Sequence, residues 1–205
     1  MYTLYSMQNS GNCYKPRLAM AQLGIPFNLV DVDSLDGSTR KAEYLVKNPN
    51  GKVPLLEWPV GRFLAESNAM LLHLADGTEL IPYDGYERAL VWQWMFFEQY
   101  SHEPYIAVAR SWLHVVPGGR AQAGDKVIEW HEKGHKALAV MEEHLSRYAW
   151  FSGPAYGVAD IALYAYTHVA HQGDFDMSAY VRIGDWLNRV AATPGFVPLA
   201  WRPSA

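Results

Sequence analysis

The sequence predicts an α/β domain of order β-α-β-α-β-β-α over residues 1–78, followed by an all-helical domain over residues 86–205. Three observations carry this. Before about residue 80, short β-rich runs alternate with helical patterns. After residue 85 the strand signals vanish and long helical patterns take over. Between the two, residues 79–85 include Pro82 and Gly85, which suit a linker.

Each element follows from its local pattern. Residues 2–6 read as a strand, and residues 15–23 as a helix stopped by Gly24-Ile25-Pro26. Residues 27–32 alternate apolar positions as a second strand. Residues 39–47 form a short helix, closed by the turn cluster Asn48-Pro49-Asn50-Gly51. Residues 53–58 and 62–65 make two strands joined by Pro59-Val60-Gly61, and residues 67–76 a helix ended by Gly77. A βαβ unit followed by a hairpin and a helix gives a small mixed sheet with helices packed on it. In the second part, residues 87–110 form a long helical stretch that Pro104 should kink or break. Residues 121–148 form another, with Leu138, Met141 and Leu145 on one face. Residues 158–170 and 178–192 are two more, the last ended by Pro194-Gly195.

Composition narrows the function classes. The 205 residues allow one large domain or two small ones, with a full core. A net charge of -4 argues against a nucleic-acid or membrane-surface protein, which would show a basic face. No stretch approaches the ~20 apolar residues that span a bilayer, and the N-terminus lacks a signal peptide's charged and apolar regions. Cys13 is the single cysteine, so neither an internal disulfide nor a cysteine-based metal cluster can form. That usage fits a cytoplasmic protein without a bound metal. The 14% aromatic content serves a packed core, an aromatic pocket or a dimer interface.

Three short stretches carry candidate chemistry. In Ser10-Gly11-Asn12-Cys13-Tyr14-Lys15-Pro16, Pro16 is tolerated in a first helical turn but not in an interior. The helix should therefore begin around residues 12–15, leaving Ser10, Gly11 and Asn12 against its N-terminus. Free N–H groups and the helix dipole suit an anion there, such as a thiolate. Ser and Asn are also favoured as plain N-caps. Val53-Pro54, after Gly51-Lys52, is a place for a cis peptide, which would turn the Val53 N–H and C=O toward an extended peptide ligand. An ordinary edge-strand proline fits as well. Glu66-Ser67 precedes the apolar pattern Met70, Leu71, Leu74. A vicinal acid and hydroxyl at a helix start suit the ammonium and carboxylate of an amino-acid headgroup, or simply cap the helix.

In order and spacing, S-G-N-C-Y-K-P-R-L-A, L-G-I-P-F, N-P-N-G-K-V-P-L-L and A-E-S-N-A-M-L-L-H-L resemble the thioredoxin-like domain of glutathione transferases. Gly157-Val158-Ala159-Asp160-Ile161 resembles the capping motif of that family's helical domain, with Gly157 in place of the usual Ser or Thr. The resemblance spans nearly the whole chain. It implies that Glu66 and Ser67 hold the γ-glutamyl end of glutathione, and that Val53, beside Pro54, pairs with its cysteinyl part. It further implies that Lys52 and a residue near Thr39 or Arg40 approach the glycyl carboxylate. The S-G-N loop resembles the T-P-N loop of the Nu class, in which a hydroxyl and an Asn amide reach the sulfur; Ser10 and Asn12 match those catalytic positions.

Cys13 falls one residue after the position where Beta-class members place a Cys. It is either a reactive thiol at a helix N-terminus or a packed one. Tyr5 and Tyr2 lie too early to match the family's tyrosine. The Nu-class Arg of the helical domain has no counterpart at Glu129-Trp130-His131. His102, Tyr105 and Trp112 lie where the resemblance implies a second-substrate site. The implied activity is transfer of glutathione, as its thiolate, to a small electrophile, with Nu-type disulfide reduction as an alternative. A non-catalytic protein-interaction module on the same fold is the rival. The family further implies a homodimer, with the first domain of one chain on the helices of the other.

Overall fold

The computed structural model describes residues 1–203, which divide into two compact units: residues 1–76 with the chain from Pro194 onward, and residues 77–193. In the first, β1 (Tyr2–Ser6), α1 (Gly11–Gln22) and β2 (Phe27–Asp31) form the βαβ unit. A 3-10 turn (Ser38–Arg40), α2 (Ala42–Leu45), β3 (Leu55–Glu57), β4 (Phe63–Leu64) and α3 (Ser67–Leu74) complete it. The sheet order is β2-β1-β3-β4, with β1 parallel to β2 and the other pairs antiparallel. This is the mixed sheet of a thioredoxin-like domain. Leu4 sits at its centre, in register with Leu29 on one side and Leu56 on the other. It packs with Met20, Phe27, Met70 and Leu74. These side chains bury one face of the sheet against α1 and α3, the main stabilising term for such a layer.

Several boundaries differ from the sequence pattern. The helix predicted over residues 39–47 is two pieces, because Lys41 between them is extended (φ -71, ψ 148). β3 starts only at Leu55, since Pro54 has no N–H to give a ladder. α1 begins at Gly11, so Pro16 lies in its second turn. There it forfeits one helical bond, its own N–H to the Asn12 carbonyl, which the flanking turns tolerate.

The chain from Pro194 onward packs with the first unit, where the sequence pattern had carried the helical domain to residue 205. Polar straps hold it. Tyr14 Oη donates to the Val197 carbonyl at 2.6 Å, and the fully buried Arg17 donates to the carbonyls of Gln8 and Trp201. Arg202 forms a two-pronged ion pair with Asp31. The Gly195 backbone, at φ +69, lies so close to α1 that an added Cβ would sit 3.0 Å from Gln22 Cα.

The second unit is helical: α4 (Gly85–Phe97), α5 (Glu103–Arg110), α6 (Gly119–Ala123), α7 (Lys126–Leu145), α8 (Val158–Thr167) and α9 (Val181–Ala191). Pro104 breaks the first long stretch as the sequence predicts, and a π-helical turn over Glu98–His102 takes up the offset. Gly124, at φ +52, separates α6 from α7. Every residue of α8 is buried, so it is the centre of the bundle.

Asp160 organises that centre. It is 0% exposed, and its carboxylate accepts from the N–H groups of Phe151, Ser152 and Gly157 and from Trp186 Nε1 at 2.9–3.2 Å. Burial pushes its pKa up, while these donors pull it down. Gly157 is explained here too. An added Cβ would meet the Leu80 carbonyl at 2.3 Å and Ser152 Oγ at 2.9 Å. Ser152 Oγ itself accepts the Ala159 N–H at 3.0 Å, supplying from outside the helix the hydroxyl that a Ser or Thr cap brings. Just before the cap, Tyr156 sets its ring against Trp150 at 5.4 Å.

Asp160→Ala strands this set of buried donors, each worth about 1–3 kcal/mol when unpaired. The variant should lose at least ~3 kcal/mol in urea denaturation; a loss below about 1 kcal/mol contradicts the account. His168 gives a pH signature. Its ring stacks on Tyr164 and Nδ1 donates to the Tyr164 carbonyl at 2.8 Å, and burial lowers its pKa to about 4. An unfolded His takes up its proton near pH ~6.5. Between the two values the unfolded state binds more protons, so stability falls as pH falls through that window. From about pH 7 to about pH 5 this removes ~2 kcal/mol. Denaturation of wild type and His168→Gln should differ in pH slope by that amount, and identical slopes reject it.

Candidate active site

The first unit brings two helix N-termini together. Ser10 caps α1: its backbone is extended (φ -80, ψ 124) and its Oγ accepts the Cys13 N–H at 3.3 Å. Asn12 follows in the first turn, half-buried. α3 begins at Ser67, which is 4% exposed. Ser67 Oγ donates to Asn12 Oδ1 at 3.2 Å, so the two helix starts are joined by their own polar side chains. With no acidic side chain in either first turn, the N–H dipoles of both helices favour an anion at this junction.

Glu66 precedes Ser67 and is exposed, with φ +67 and ψ 112. A non-glycine residue there costs roughly 1–3 kcal/mol, and such strain clusters at binding sites. The Val53–Pro54 peptide is cis. Pro54 is buried, Val53 half-buried, and among the described residues no partner takes the Val53 backbone N–H or carbonyl. An extended ligand could pair with that free edge. The preceding Lys52 carbonyl is clamped by Tyr44 Oη and Asn48 Nδ2, both at 2.8 Å. Burial pushes the Tyr44 hydroxyl up to about 12, so it stays a donor.

Lys52 itself is exposed. Thr39, 1% exposed, is turned inward, whereas Arg40 beside it is exposed and donates to the Asn50 carbonyl at 3.0 Å. A Cβ on Gly51 would lie 2.7 Å from Arg40 Nη1 and 2.9 Å from the Thr39 carbonyl, so the two loops are in direct contact. They set two exposed cations, Arg40 and Lys52, on one corner, which suits a carboxylate.

The structure decides between the alternatives for the other candidates. Cys13 is 0% exposed, its Sγ accepts the Met7 N–H at 3.3 Å, and burial pushes its thiol up, so it is packed and protonated. Tyr5 is committed elsewhere, donating to Glu57 Oε2 and accepting from Lys47 Nζ, both at 2.6 Å. One residue escaped sequence reasoning. Lys15 is 0% exposed and donates from Nζ to Ser67 Oγ at 3.3 Å and Asn68 Oδ1 at 3.0 Å. Its signal was a basic residue near the positive end of a helix, where the dipole disfavours cations. Among the described residues, no helix is long and apolar enough to cross a membrane, and no group of three or more His, Cys, Asp or Glu could hold a metal.

The model of the glutathione S-transferase N-terminal domain matches residues 1–76, and that of its C-terminal domain residues 106–194. The crystal structure of a possible glutathione S-transferase from Rhodopseudomonas palustris is 51% identical, with a TM-score of 0.97, covering 100% of this chain and 92% of that one. Glutathione S-transferase GstB of Escherichia coli K12 is 32% identical over 169 residues, 80% of each chain. Disulfide-bond oxidoreductase YfcG of the same strain is 26% identical over 193 residues, 89% of this chain and 87% of the relative. The family models on both parts of the chain, with a relative matched over most of both lengths, establish that the chain belongs to the glutathione S-transferase family.

Proposed function

We propose that this protein is a glutathione transferase: it binds glutathione, favours its thiolate and presents it to a small electrophile. The observation that carries this is the junction of the α1 and α3 N-termini, joined through Asn12 and Ser67 beside the unpaired Val53 edge. On this reading Ser10 and Asn12 serve the sulfur. Glu66 and Ser67 take the γ-glutamyl ammonium and carboxylate, and Val53 next to Pro54 pairs with the cysteinyl backbone. Lys52, with Arg40 and the Thr39 loop, takes the glycyl carboxylate. The thiol proton leaves to solvent. The sulfur then bonds to the electrophilic carbon as the leaving group departs with its electron pair. Lowering the thiol pKa from near 9 toward 7 raises the thiolate fraction at neutral pH roughly 50-fold.

Residues 1–78 would hold glutathione, and the helical part from residue 86 would supply the surface that selects the electrophile. Trp92, Phe96 and Tyr100 are exposed at four-residue spacing, a stripe that supports a homodimer. The single cysteine and the mildly acidic charge support a cytoplasmic setting.

A second reading, glutathione-dependent disulfide reduction, draws on the Ser10-Gly11-Asn12 loop and the likeness to YfcG. The thiolate would attack a disulfide sulfur, expelling one thiolate. A second glutathione would resolve the mixed disulfide and leave as oxidised glutathione.

Retention on immobilised glutathione and a rise in melting temperature with free glutathione are expected; absence of both rejects glutathione binding. Asn12→Ala and Ser10→Ala should lower turnover more than glutathione affinity. Ser10→Ala should in addition lose ~1 kcal/mol of stability, because it removes the α1 cap. Wild-type turnover in both variants would mean that the sulfur is met elsewhere. Glu66→Gly should relieve backbone strain and stabilise the fold by about 1 kcal/mol while weakening glutathione binding, read by denaturation and calorimetric titration. Undiminished affinity removes Glu66 from the ligand set.

A further inference from the structure

The turn that leads into α1 is held by two separate parts of the first unit. Residues 7–10 close on themselves through the Ser10 N–H, which donates to the Met7 carbonyl at 3.1 Å. From α1, Cys13 Sγ accepts the Met7 N–H at 3.3 Å, and Arg17 Nη2 donates to the Gln8 carbonyl at 2.8 Å. From the C-terminal segment, the Leu199 carbonyl accepts from Gln8 Nε2 at 2.9 Å. Arg17 also reaches that segment: Nη1 donates to the Trp201 carbonyl at 3.2 Å, while Nε donates to the Cys13 carbonyl at 3.4 Å. The segment is itself seated by Tyr14 on the Val197 carbonyl and by the Arg202–Asp31 pair.

These three acceptors of Arg17 are main-chain carbonyls, one each from the turn, α1 and the C-terminal segment. A guanidinium presents its donors in a rigid planar fork, so what it fixes is the path of the main chain. Arg17 is 0% exposed, which leaves that fork little room to move. Ser10 lies two residues from Gln8 in the same turn, with its Oγ on the Cys13 N–H at 3.3 Å. A shift of Gln8 therefore carries Ser10 with it. A misplacement of ~1 Å at a reacting centre can cost about 10²-fold in rate.

We propose that Arg17 and Gln8 are positioning residues: they brace turn 7–10 against the C-terminal segment and so hold the Ser10 hydroxyl where the glutathione sulfur arrives. This rests on the reading of Ser10 as a partner of that sulfur. Neither residue belongs to the ligand set of that reading; both act through the turn.

The test reads the pH midpoint at which glutathione bound to the intact protein gains its ultraviolet thiolate absorbance. Wild type, Ser10→Ala, Gln8→Ala, Arg17→Lys and each brace variant combined with Ser10→Ala are compared. Ser10→Ala is expected to raise the midpoint; a wild-type midpoint there overturns the sulfur-partner reading and this proposal with it. Given that rise, Gln8→Ala and Arg17→Lys are each expected to raise the midpoint by up to about one pH unit, tenfold less thiolate below it. Arg17→Lys keeps the buried charge and removes only the fork. Neither change should add to Ser10→Ala, because both act on the hydroxyl already removed. A wild-type midpoint in either brace variant, even with lowered stability, marks a purely structural brace and overturns the proposal alone. So do shifts that add in the double variants. Should Arg17→Lys fail to fold, Gln8→Ala, which leaves Arg17 in place, decides by the same criteria.

Discussion

In the first unit a buried ammonium lies between the starts of two helices, and much of the surrounding architecture is arranged to tolerate it. Removing such a group from water costs several kcal/mol, and the helix dipoles add to the penalty. Hydrogen bonds from a charged donor return about 1.5–3 kcal/mol each. Lys15 gives such bonds to Ser67 and Asn68, both on α3. They tie α1 to α3 at the end toward which the N–H groups of both helices point. The same excess of positive potential is what an anionic ligand would relieve. Structure and chemistry thus share one feature: the arrangement that is costly to the fold is the one that attracts an anion.

The second unit shows the opposite sign handled in the opposite way. Asp160 is equally buried, but backbone and indole donors converge on it. Its carboxylate is held by neutral donors and serves to fix the start of α8, the segment before it and Trp186 of α9. Gly157 and Ser152 divide between them the work of a single capping residue, because the Leu80 carbonyl occupies the space a side chain would need.

Much of this was legible in local sequence. Ser10 and Ser67 were marked as helix starts by their type and by the apolar patterns that follow them. Pro16 placed the first helix start within a turn, and missed by that turn because proline in a second turn forfeits only one bond. Pro104 located the break after α4. Other features were not legible. The inward turn of Thr39 and the exposure of Arg40 depend on which loop packs on Gly51. The commitment of the Tyr5 hydroxyl to Glu57 and Lys47 joins groups far apart along the chain. Cys13 could be reactive or inert by position alone, and burial decided it.

What the sequence determined by itself was the order of elements, their approximate ends and the presence of two capped helix starts with a proline-led strand between them. Those depend on backbone preferences that act within a turn or two of chain. Only the tertiary structure decided that the two starts face each other, that a lysine lies buried between them, that the final residues return to the first unit, and that Asp160 gathers donors from three segments. Each depends on groups distant in sequence meeting in a low-dielectric interior. There the need to pair every buried charge and donor selects arrangements that no local pattern encodes.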